Sequence, residues 1–337
     1  MPHPCGLFAW VGSDHVSDLA RPLCHVRCWY TFMPRLTPST IAHLLLLATV
    51  MVWGATFVLI KDALNDATPL LFNLLRMSLA AVVLVAVNHR HLRNLSRRAV
   101  LSSAVVGLFL AAGYQFQTSG LARTTPAKSA FITGLVVVFV PLFTAIPALR
   151  SAGSHAPRWT AAIGALLAFA GLLLLTTPPG TEWTHLFASI GLGDLLTLAC
   201  AIAFSGHLLS IAHTSHGVPT QQLATLQIGF CAVIMFLTLP LGERPHATFT
   251  PRLIVALAIT SIIATAAAFT IQSWAQKHIP PTHTAVLVSL EPVFAWLTSL
   301  LFLHEHLGAR ALTGAVLIAF GIAATEFLPT TPAEIPA

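Results

Sequence analysis

The sequence predicts an all-α membrane protein whose ten transmembrane helices form two inverted five-helix repeats. Three observations predict this fold class. Charged residues are scarce, ten apolar runs are long enough to cross a bilayer, and proline and glycine landmarks recur in the two halves of the chain.

Composition alone places the chain in a membrane. The 337 residues are 56% hydrophobic and only 8% charged, whereas a soluble domain carries about 25% charged residues. So few charges cannot cover the surface of a water-soluble protein, and most of that surface must face lipid. The chain has a net charge of +6. Its charged residues lie mainly between apolar runs, where Lys and Arg set the orientation of a membrane protein. We therefore expect the lipid bilayer as a partner and no nucleic acid.

The ten apolar runs fit membrane-spanning helices. A helix needs about 20 mainly apolar residues to cross the hydrocarbon layer. A transmembrane β-barrel would show alternating polar and apolar positions, which the continuous apolar run Leu135 to Val140 lacks. The loops between the runs are too short for a soluble catalytic domain. The predicted spans are 41–60, 68–88, 99–120, 127–149, 158–177, 191–212, 220–241, 252–276, 282–303 and 308–328.

The spans divide into two halves with matching landmarks. Pro141 in the fourth span corresponds to Pro292 in the ninth, and two glycines seven residues apart follow each proline: Gly164 with Gly171, and Gly314 with Gly321. Five spans per half is an odd number, so the second half enters the membrane from the opposite side, as in many secondary transporters. The alternative is that Pro and Gly are simply frequent in membrane helices.

The predicted domain boundaries follow from this division. Residues 40–180 form the first repeat and residues 190–328 the second. Residues 1–39 are a polar N-terminal extension that we expect to be disordered, and residues 329–337 are a short tail. Met33 is followed by a short polar lead and then by the first apolar run. We therefore expect Met33 to be the physiological start.

The loop after the second span sets the predicted orientation. It contains Arg90, Arg93, Arg97 and Arg98 without an acidic residue, and cytoplasmic loops carry an excess of Lys and Arg. This loop is therefore predicted to be cytoplasmic. With ten spans, both termini are then cytoplasmic too, in a protein of the inner or plasma membrane.

The fifth and tenth spans carry small residues at packing positions. Gly164 and Ala168 are four residues apart, as are Ala315, Ala319 and Ala323, and such spacing permits close helix approach in membranes. These spans either support each helix bundle or pair two copies of the chain as a homodimer.

Two ionisable residues lie within predicted spans. Arg76 and Glu291 each cost at least about 2.5 kcal/mol to insert, so such residues face the bundle interior and serve function by default. Glu291 precedes Pro292, which removes a backbone donor, and it is the candidate proton-coupling group. The alternatives are a structural ion pair with Arg76 or capping of the freed backbone.

Polar and aromatic residues at helical spacing mark a candidate solute cavity. Amides, hydroxyls and aromatic rings on shared helix faces suit a small polar or amphipathic organic solute. For any single residue the alternative is a hydrogen bond between helices, worth about 0.6 kcal/mol. The candidate substrate-binding residues are Trp53, Asn73, Arg76, Tyr114, Gln115, Gln117, His207 and Gln272.

Several short motifs resemble those of a known family. They are Val52-Trp53-Gly54-Ala55-Thr56-Phe57, Leu74-Leu75-Arg76, Lys128 to Leu135, Gly193-Asp194-Leu195-Leu196, Ser289 to Ala295, Gly314-Ala315 and Phe320-Gly321. In this order, and over residues 40–328, the chain resembles the EamA-type ten-helix members of the drug/metabolite transporter superfamily. The resemblance implies two inverted repeats around a central cavity that moves small metabolites, often outward.

The chain is predicted to be a secondary transporter that works by alternating access. We expect it to export small organic solutes, and proton movement across the membrane can drive this export. The rivals are a solute channel and an intramembrane enzyme. His304-Glu305-His306 lacks the His-Glu-x-x-His spacing that puts both imidazoles on one helix face, and a Gly-rich phosphate loop is absent from the sequence. We expect no enzyme activity, no cofactor and no metal site.

Overall fold

The computed structural model of the protein describes residues 37–124, 126–150, 159–176, 191–303 and 308–327. The expected start at Met33, most of the N-terminal extension, the 329–337 tail and the 304–306 motif lie outside the described residues. Within those residues the regular secondary structure is helical, apart from one isolated bridge between Ala67 and Ala247.

Six helical segments are long and apolar enough to cross a membrane. They are α1 (Pro38–Ala63), α2 (Pro69–Asn88), α3 (Arg97–Arg123), α7 (Leu192–Ser215), α8 (Thr220–Gly242) and the continuous segment Pro251–Ala275. The last comprises α9 (Pro251–Ser261), a π-helical stretch (Ile262–Ala267) and α10 (Ala268–Ala275).

The fourth and ninth predicted spans are each broken into two helices. The fourth contains α4 (Pro126–Thr133) and α5 (Val136–Ala145), and the ninth contains α11 (Pro281–Val288) and α12 (Glu291–Leu303). The fifth and tenth spans contain α6 (Trp159–Thr176) and α13 (Ala309–Phe327). Several of these helices start at a proline, because the first turn needs no backbone N–H donor from that position.

The two prolines matched in the sequence do not occupy equivalent places in these broken spans. Pro141 lies in the interior of α5, whereas Pro292 is the second residue of α12. The first-turn position removes no helical hydrogen bond, while an interior proline does. The better correspondence is between α4 and α11, which both start at a proline and both contain eight residues.

The surface of the bundle is apolar, as a lipid-facing surface must be. Val82, Phe236, Leu166 and Leu301 are each at least 65% exposed on different helices. Soluble proteins rarely expose large contiguous apolar patches, so these side chains are best explained by contact with acyl chains.

Two loops meet at one end of the bundle and join the halves of the chain. The α1–α2 loop and the α8–α9 loop share two backbone hydrogen bonds, Thr68 to His246 and Thr248 to Asp66. Arg252 adds ion pairs to Asp66 at 2.8 Å and to Asp62 at 3.1 Å. Its hydrogen bond holds the pKa of Asp66 below the ordinary value of a carboxyl group.

Helices α6 and α13 pack in direct backbone contact through their glycines. A Cβ atom added to Gly171 would lie 2.5 Å from the carbonyl oxygen of Gly314, and one added to Gly321 would lie 2.6 Å from that of Gly164. Real Cβ atoms essentially never come so close to a carbonyl oxygen. Close approach of this kind is the usual role of small residues in membrane helix packing.

This contact predicts a sharp difference between two Gly→Ala substitutions. Gly171→Ala should lower the thermal midpoint of the detergent-purified protein, because the methyl group forces α6 away from α13. Gly229→Ala is the matched control, since nothing lies within 4 Å of its added Cβ and alanine favours the helix by up to about 1 kcal/mol. Equal midpoints for the two variants would contradict the packing.

The loop junction predicts a pH-dependent contribution to stability. The pKa of Asp66 is lowered in the folded protein, so its stabilising effect is complete above the unfolded value of about 3.9 and declines as the pH falls through the folded pKa. Asp66→Asn should therefore be less stable than wild type at pH 7, with a difference that narrows below about pH 4. Thermal melting over this pH range checks it, and a difference independent of pH would be the contrary result.

Candidate functional site

A cavity lies inside the bundle, bounded by α1, α2, α3, α7, α10 and the broken spans. It encloses about 680 Å³ of space not filled by atoms, counting its open part. Ligand sites usually combine apolar walls with a few polar groups. Seven predicted site residues line this cavity: Trp53, Arg76, Tyr114, Gln117, His207, Gln272 and Glu291.

Arg76 is almost completely buried, and its Nε and one terminal nitrogen donate hydrogen bonds to protein groups. Its Nε donates to Thr265 Oγ1 at 2.7 Å, and one terminal nitrogen donates to Tyr114 Oη at 3.1 Å and to the Ala264 carbonyl at 3.3 Å. The guanidinium carbon lies 4.5 Å from the centre of the Tyr114 ring, close enough for a cation–π interaction. These bonds join α2 to α3 and to the π-helical stretch.

The π-helical stretch supplies the acceptor that Arg76 requires. A π turn loosens the regular hydrogen-bond ladder and is frequent at functional sites. Here the carbonyl of Ala264 accepts from Arg76 and also from Trp53 Nε1 at 2.9 Å. Trp53 of α1 is thereby attached to the same backbone position as Arg76 of α2.

Glu291 opens α12 and is only 8% exposed. Helix α1 approaches it closely at Gly54, where a Cβ atom would lie 2.5 Å from the Glu291 carbonyl oxygen. Among the described residues, the ion pairs within 4 Å are those of Arg252. Arg76 and Glu291 therefore do not form the structural pair that the sequence left open, although both line the cavity.

His207 belongs to a buried hydrogen-bond chain. Its Nε2 lies 3.0 Å from Gln227 Oε1, and Gln227 Nε2 donates to Ser273 Oγ at 2.9 Å. Ser273 Oγ in turn donates to the Phe269 carbonyl at 2.7 Å. The chain crosses from α7 through α8 to α10, and Gln227 and Ser273 are 0% exposed.

Two predicted site residues lie outside the lining. Asn73 is 0% exposed and donates to the Tyr114 carbonyl at 2.9 Å, while it accepts from Thr118 at 3.1 Å. Gln115 donates to Thr238 Oγ1 on α8 at 2.8 Å. Both residues thus make the bonds between helices that were the alternative explanation for any single polar residue.

Sequence reasoning missed two groups of residues. The aromatic residues Phe57, Phe204 and Phe269 line the cavity, but a phenylalanine inside an apolar run carries no polar signal. Thr265, Gln227 and Ser273 hold Arg76 and His207 in place. Only their polarity within predicted spans could have indicated them, and that signal does not show which partner each one takes.

A metal centre finds no support in the described part of the chain, where no three His, Cys, Asp or Glu side chains are grouped to hold an ion. The described Cys200 and Cys231 are free thiols in the apolar interior. The residues that surround the cavity are instead aliphatic, aromatic, imidazole, amide, hydroxyl and singly charged groups, which suit an organic solute.

Comparison with known proteins assigns the chain to a family. The EamA-like transporter family matches it twice, over residues 40–177 and 191–326. An uncharacterized transporter of Archaeoglobus fulgidus is 31% identical over 83% of this chain and 84% of its own length. The uncharacterized transporter YoaV of Bacillus subtilis is 23% identical over 84% of this chain and 95% of its own length.

A solved crystal structure supports the fold. It superposes with a TM-score of 0.70 at 20% sequence identity and covers 86% of this chain and 99% of its own. At that identity the likeness concerns the fold alone. The family matches together span most of the chain, and the two relatives are matched over most of their own length. The chain belongs to the EamA-like transporter family of the drug/metabolite transporter superfamily and is a multi-pass membrane transporter.

Proposed function

We propose that this transporter exports small organic solutes by alternating access, with Glu291 as its proton-coupling group. The observation that carries the proposal is the cavity itself, where Arg76 and Glu291 face the same space inside an apolar bundle without pairing. Charges within a membrane are expensive and mark substrate or ion pathways. A cavity that holds two of them apart suits a solute or proton that binds reversibly.

Alternating access requires two bodies that can rock, and we propose that these are two inverted repeats with ten spans in total. The family matches the two halves separately, which supports a duplication. The glycine contacts are reciprocal, with Gly171 on Gly314 and Gly321 on Gly164, as a two-fold relation between equivalent helices requires. The equal lengths of α4 and α11 support the same arrangement.

The orientation follows from the arginine-rich α2–α3 loop. Arg90, Arg93, Arg97 and Arg98 are exposed together, so we assign this end of the bundle and both termini to the cytoplasm. The loop junction of Asp66 and Arg252 then lies on the outer face of the cell membrane. Opening the cavity outward would require movement near this junction.

Proton coupling is assigned to Glu291 because its carboxylate is the acidic group of the lining. Arg76, Tyr114 and His207 are the other titratable groups of that lining. Arg76 donates to Thr265, Ala264 and the Tyr114 hydroxyl, and His207 is bonded to Gln227. Among the described residues, no hydrogen bond or ion pair holds the Glu291 carboxylate, so it is available to a proton or a solute.

The rival functions fit the cavity less well. A channel filter is built from rings of carbonyls or charged side chains, whereas this lining carries one arginine and one glutamate on different helices. An enzyme would need a catalytic group with a positioned partner, and the described carboxylate of Glu291 has none. A carrier differs from a channel in that its flux saturates and shows counterflow.

Export is tested by comparing culture media. Cells overproducing wild type should release one solute class that cells with an equally abundant Arg76→Ala, Glu291→Gln double variant retain. Gly229→Ala should behave as wild type, because nothing lies within 4 Å of its added Cβ. Media of identical metabolite content would contradict export, and uptake by the wild-type cells would reverse the proposed direction.

Proton coupling is tested with the released solute in proteoliposomes. Glu291→Gln keeps the size and polarity of the side chain but cannot exchange a proton, so pH-driven flux should fall to background while solute counterflow persists. Equal recovery of the variant in the membrane fraction controls for insertion. Unchanged pH-driven flux would show that another group carries the proton.

A further inference from the structure

The hydrogen-bond chain behind His207 fixes the position of the ring proton. The Ser273 hydroxyl donates its hydrogen to the Phe269 carbonyl. The Ser273 oxygen can therefore only accept in its contact with Gln227 Nε2. The amide of Gln227 therefore turns its oxygen toward His207. Since an amide oxygen only accepts, the nitrogen facing it, His207 Nε2, must carry the hydrogen.

The other ring nitrogen, Nδ1, is consequently an acceptor. His207 is 2% exposed and has no carboxylate among its described hydrogen-bond partners. A buried charge without a partner is costly, so the ring is neutral. A neutral imidazole that donates through Nε2 offers a lone pair at Nδ1. Within the described residues, Nδ1 has no protein donor, and His207 lines the cavity.

Other acceptors of the lining are also without donors. Gln272 is 2% exposed, and its Oε1 has no hydrogen-bond partner among the described residues. The Glu291 carboxylate faces the same cavity. The bonds of the guanidinium of Arg76 lead to Thr265, Tyr114 and Ala264 and not to these acceptors. His207 Nδ1 and the Glu291 carboxylate are therefore left to accept hydrogen bonds from a bound solute, whereas Gln272 Oε1 is itself closed off from the cavity.

Aromatic rings form part of the apolar lining, together with aliphatic side chains. The ring of Phe269 lies 5.5 Å from Trp53 and 6.0 Å from Tyr114, and the Tyr114 ring lies 5.4 Å from Phe204. Aromatic side chains at these distances interact through edges and tilted faces, and they present apolar surface to a ligand. They also favour a cation placed over a ring face.

We propose that His207 Nδ1 is a solute-recognition group that accepts a hydrogen bond from a protonated primary amine whose remaining part is aromatic or apolar. The proposal rests on the proposed function and names its substrate class. An ammonium group has three N–H donors and the charge that Glu291 attracts, whereas a hydroxyl has one donor and no charge. Glu291 is the carboxylate of the lining, so a second ammonium group would face Arg76 without a counter-charge, and a monoamine fits better than a diamine.

The test compares two cations of the same aromatic body. The probes are 2-phenylethylammonium, which has three N–H donors, and its N,N,N-trimethyl analogue, which has none. Isothermal titration of the full chain in detergent at pH 7 should give wild-type binding of the primary amine at least about tenfold tighter than that of the analogue, as expected for a hydrogen bond to a charged group. Equal affinities, or no binding of either probe at millimolar concentration, would overturn the proposal.

Two substitutions of His207 separate recognition from structure. His207→Gln places an amide nitrogen near the Nε2 position, so it keeps the bond to Gln227 but removes the Nδ1 acceptor. His207→Asn places an amide oxygen near the Nδ1 position and gives up the bond to Gln227. The preference for the primary amine should disappear in His207→Gln and persist in His207→Asn. The reverse pattern would assign His207 a purely structural role and overturn the proposal.

Ser273→Ala provides a variant that leaves His207 itself intact. Without the serine, Gln227 can turn its amide, the ring can place its hydrogen on either nitrogen, and the preference should fall several-fold. An unchanged preference would overturn the fixed position of the proton. Binding is measured without transport, so tight amine binding in a protein that fails to export would refute the proposed function and leave this inference standing.

Discussion

The interior of this transporter depends on how it satisfies the guanidinium of Arg76. A buried cation with unmet donors would be costly in a lipid-surrounded bundle, and Arg76 is 2% exposed. The π-helical stretch provides two hydrogen-bond acceptors for Arg76. They are the Thr265 hydroxyl at 2.7 Å and the Ala264 carbonyl at 3.3 Å. Tyr114 adds a hydroxyl and a ring face. Because these partners lie on α3 and on the eighth span, the position of three helices around the cavity follows from one side chain.

The hydrogen-bond chain of His207 likewise holds a polar side chain of the cavity lining in place. It links α7, α8 and α10 through side chains that are wholly buried, and Phe269 contributes both a carbonyl to this chain and a ring to the aromatic wall. Polar networks inside an apolar bundle must be fully satisfied to be stable. Groups with protein partners on every side serve to position helices, and groups with an unused atom facing the cavity are those that can bind a solute.

The sequence was sufficient to predict the class of the molecule because lipid imposes strict rules on composition and on span length. Arg76 and Glu291 could be singled out for the same reason, as ionisable residues are rare inside spans. The breaks before Val136 and Glu291 and the π turn at Ile262 could not be predicted, since several residue types tolerate them equally. The hydrogen-bond partners of polar side chains could not be predicted either. Gln115 and Gln117 are two residues apart, yet Gln115 bonds to Thr238 and Gln117 lines the cavity. The orientation of a polar side chain is decided by packing between helices, and a single sequence does not contain that information.

The contrast between the two intramembrane charges shows why their roles differ. Arg76 is held by hydrogen bonds and an aromatic face, so its charge is compensated by the protein in the structure as it stands. Glu291 lies at the start of α12, and its backbone contacts Gly54 of α1, while its carboxylate takes no described hydrogen bond or ion pair. Moving Arg76 would break several hydrogen bonds in an apolar medium, whereas protonating the Glu291 carboxylate breaks no hydrogen bond among the described residues. In the cycle that we propose, exchange of a proton for a cationic solute would place the lower cost on Glu291, and Arg76 would remain the fixed point around which that exchange takes place.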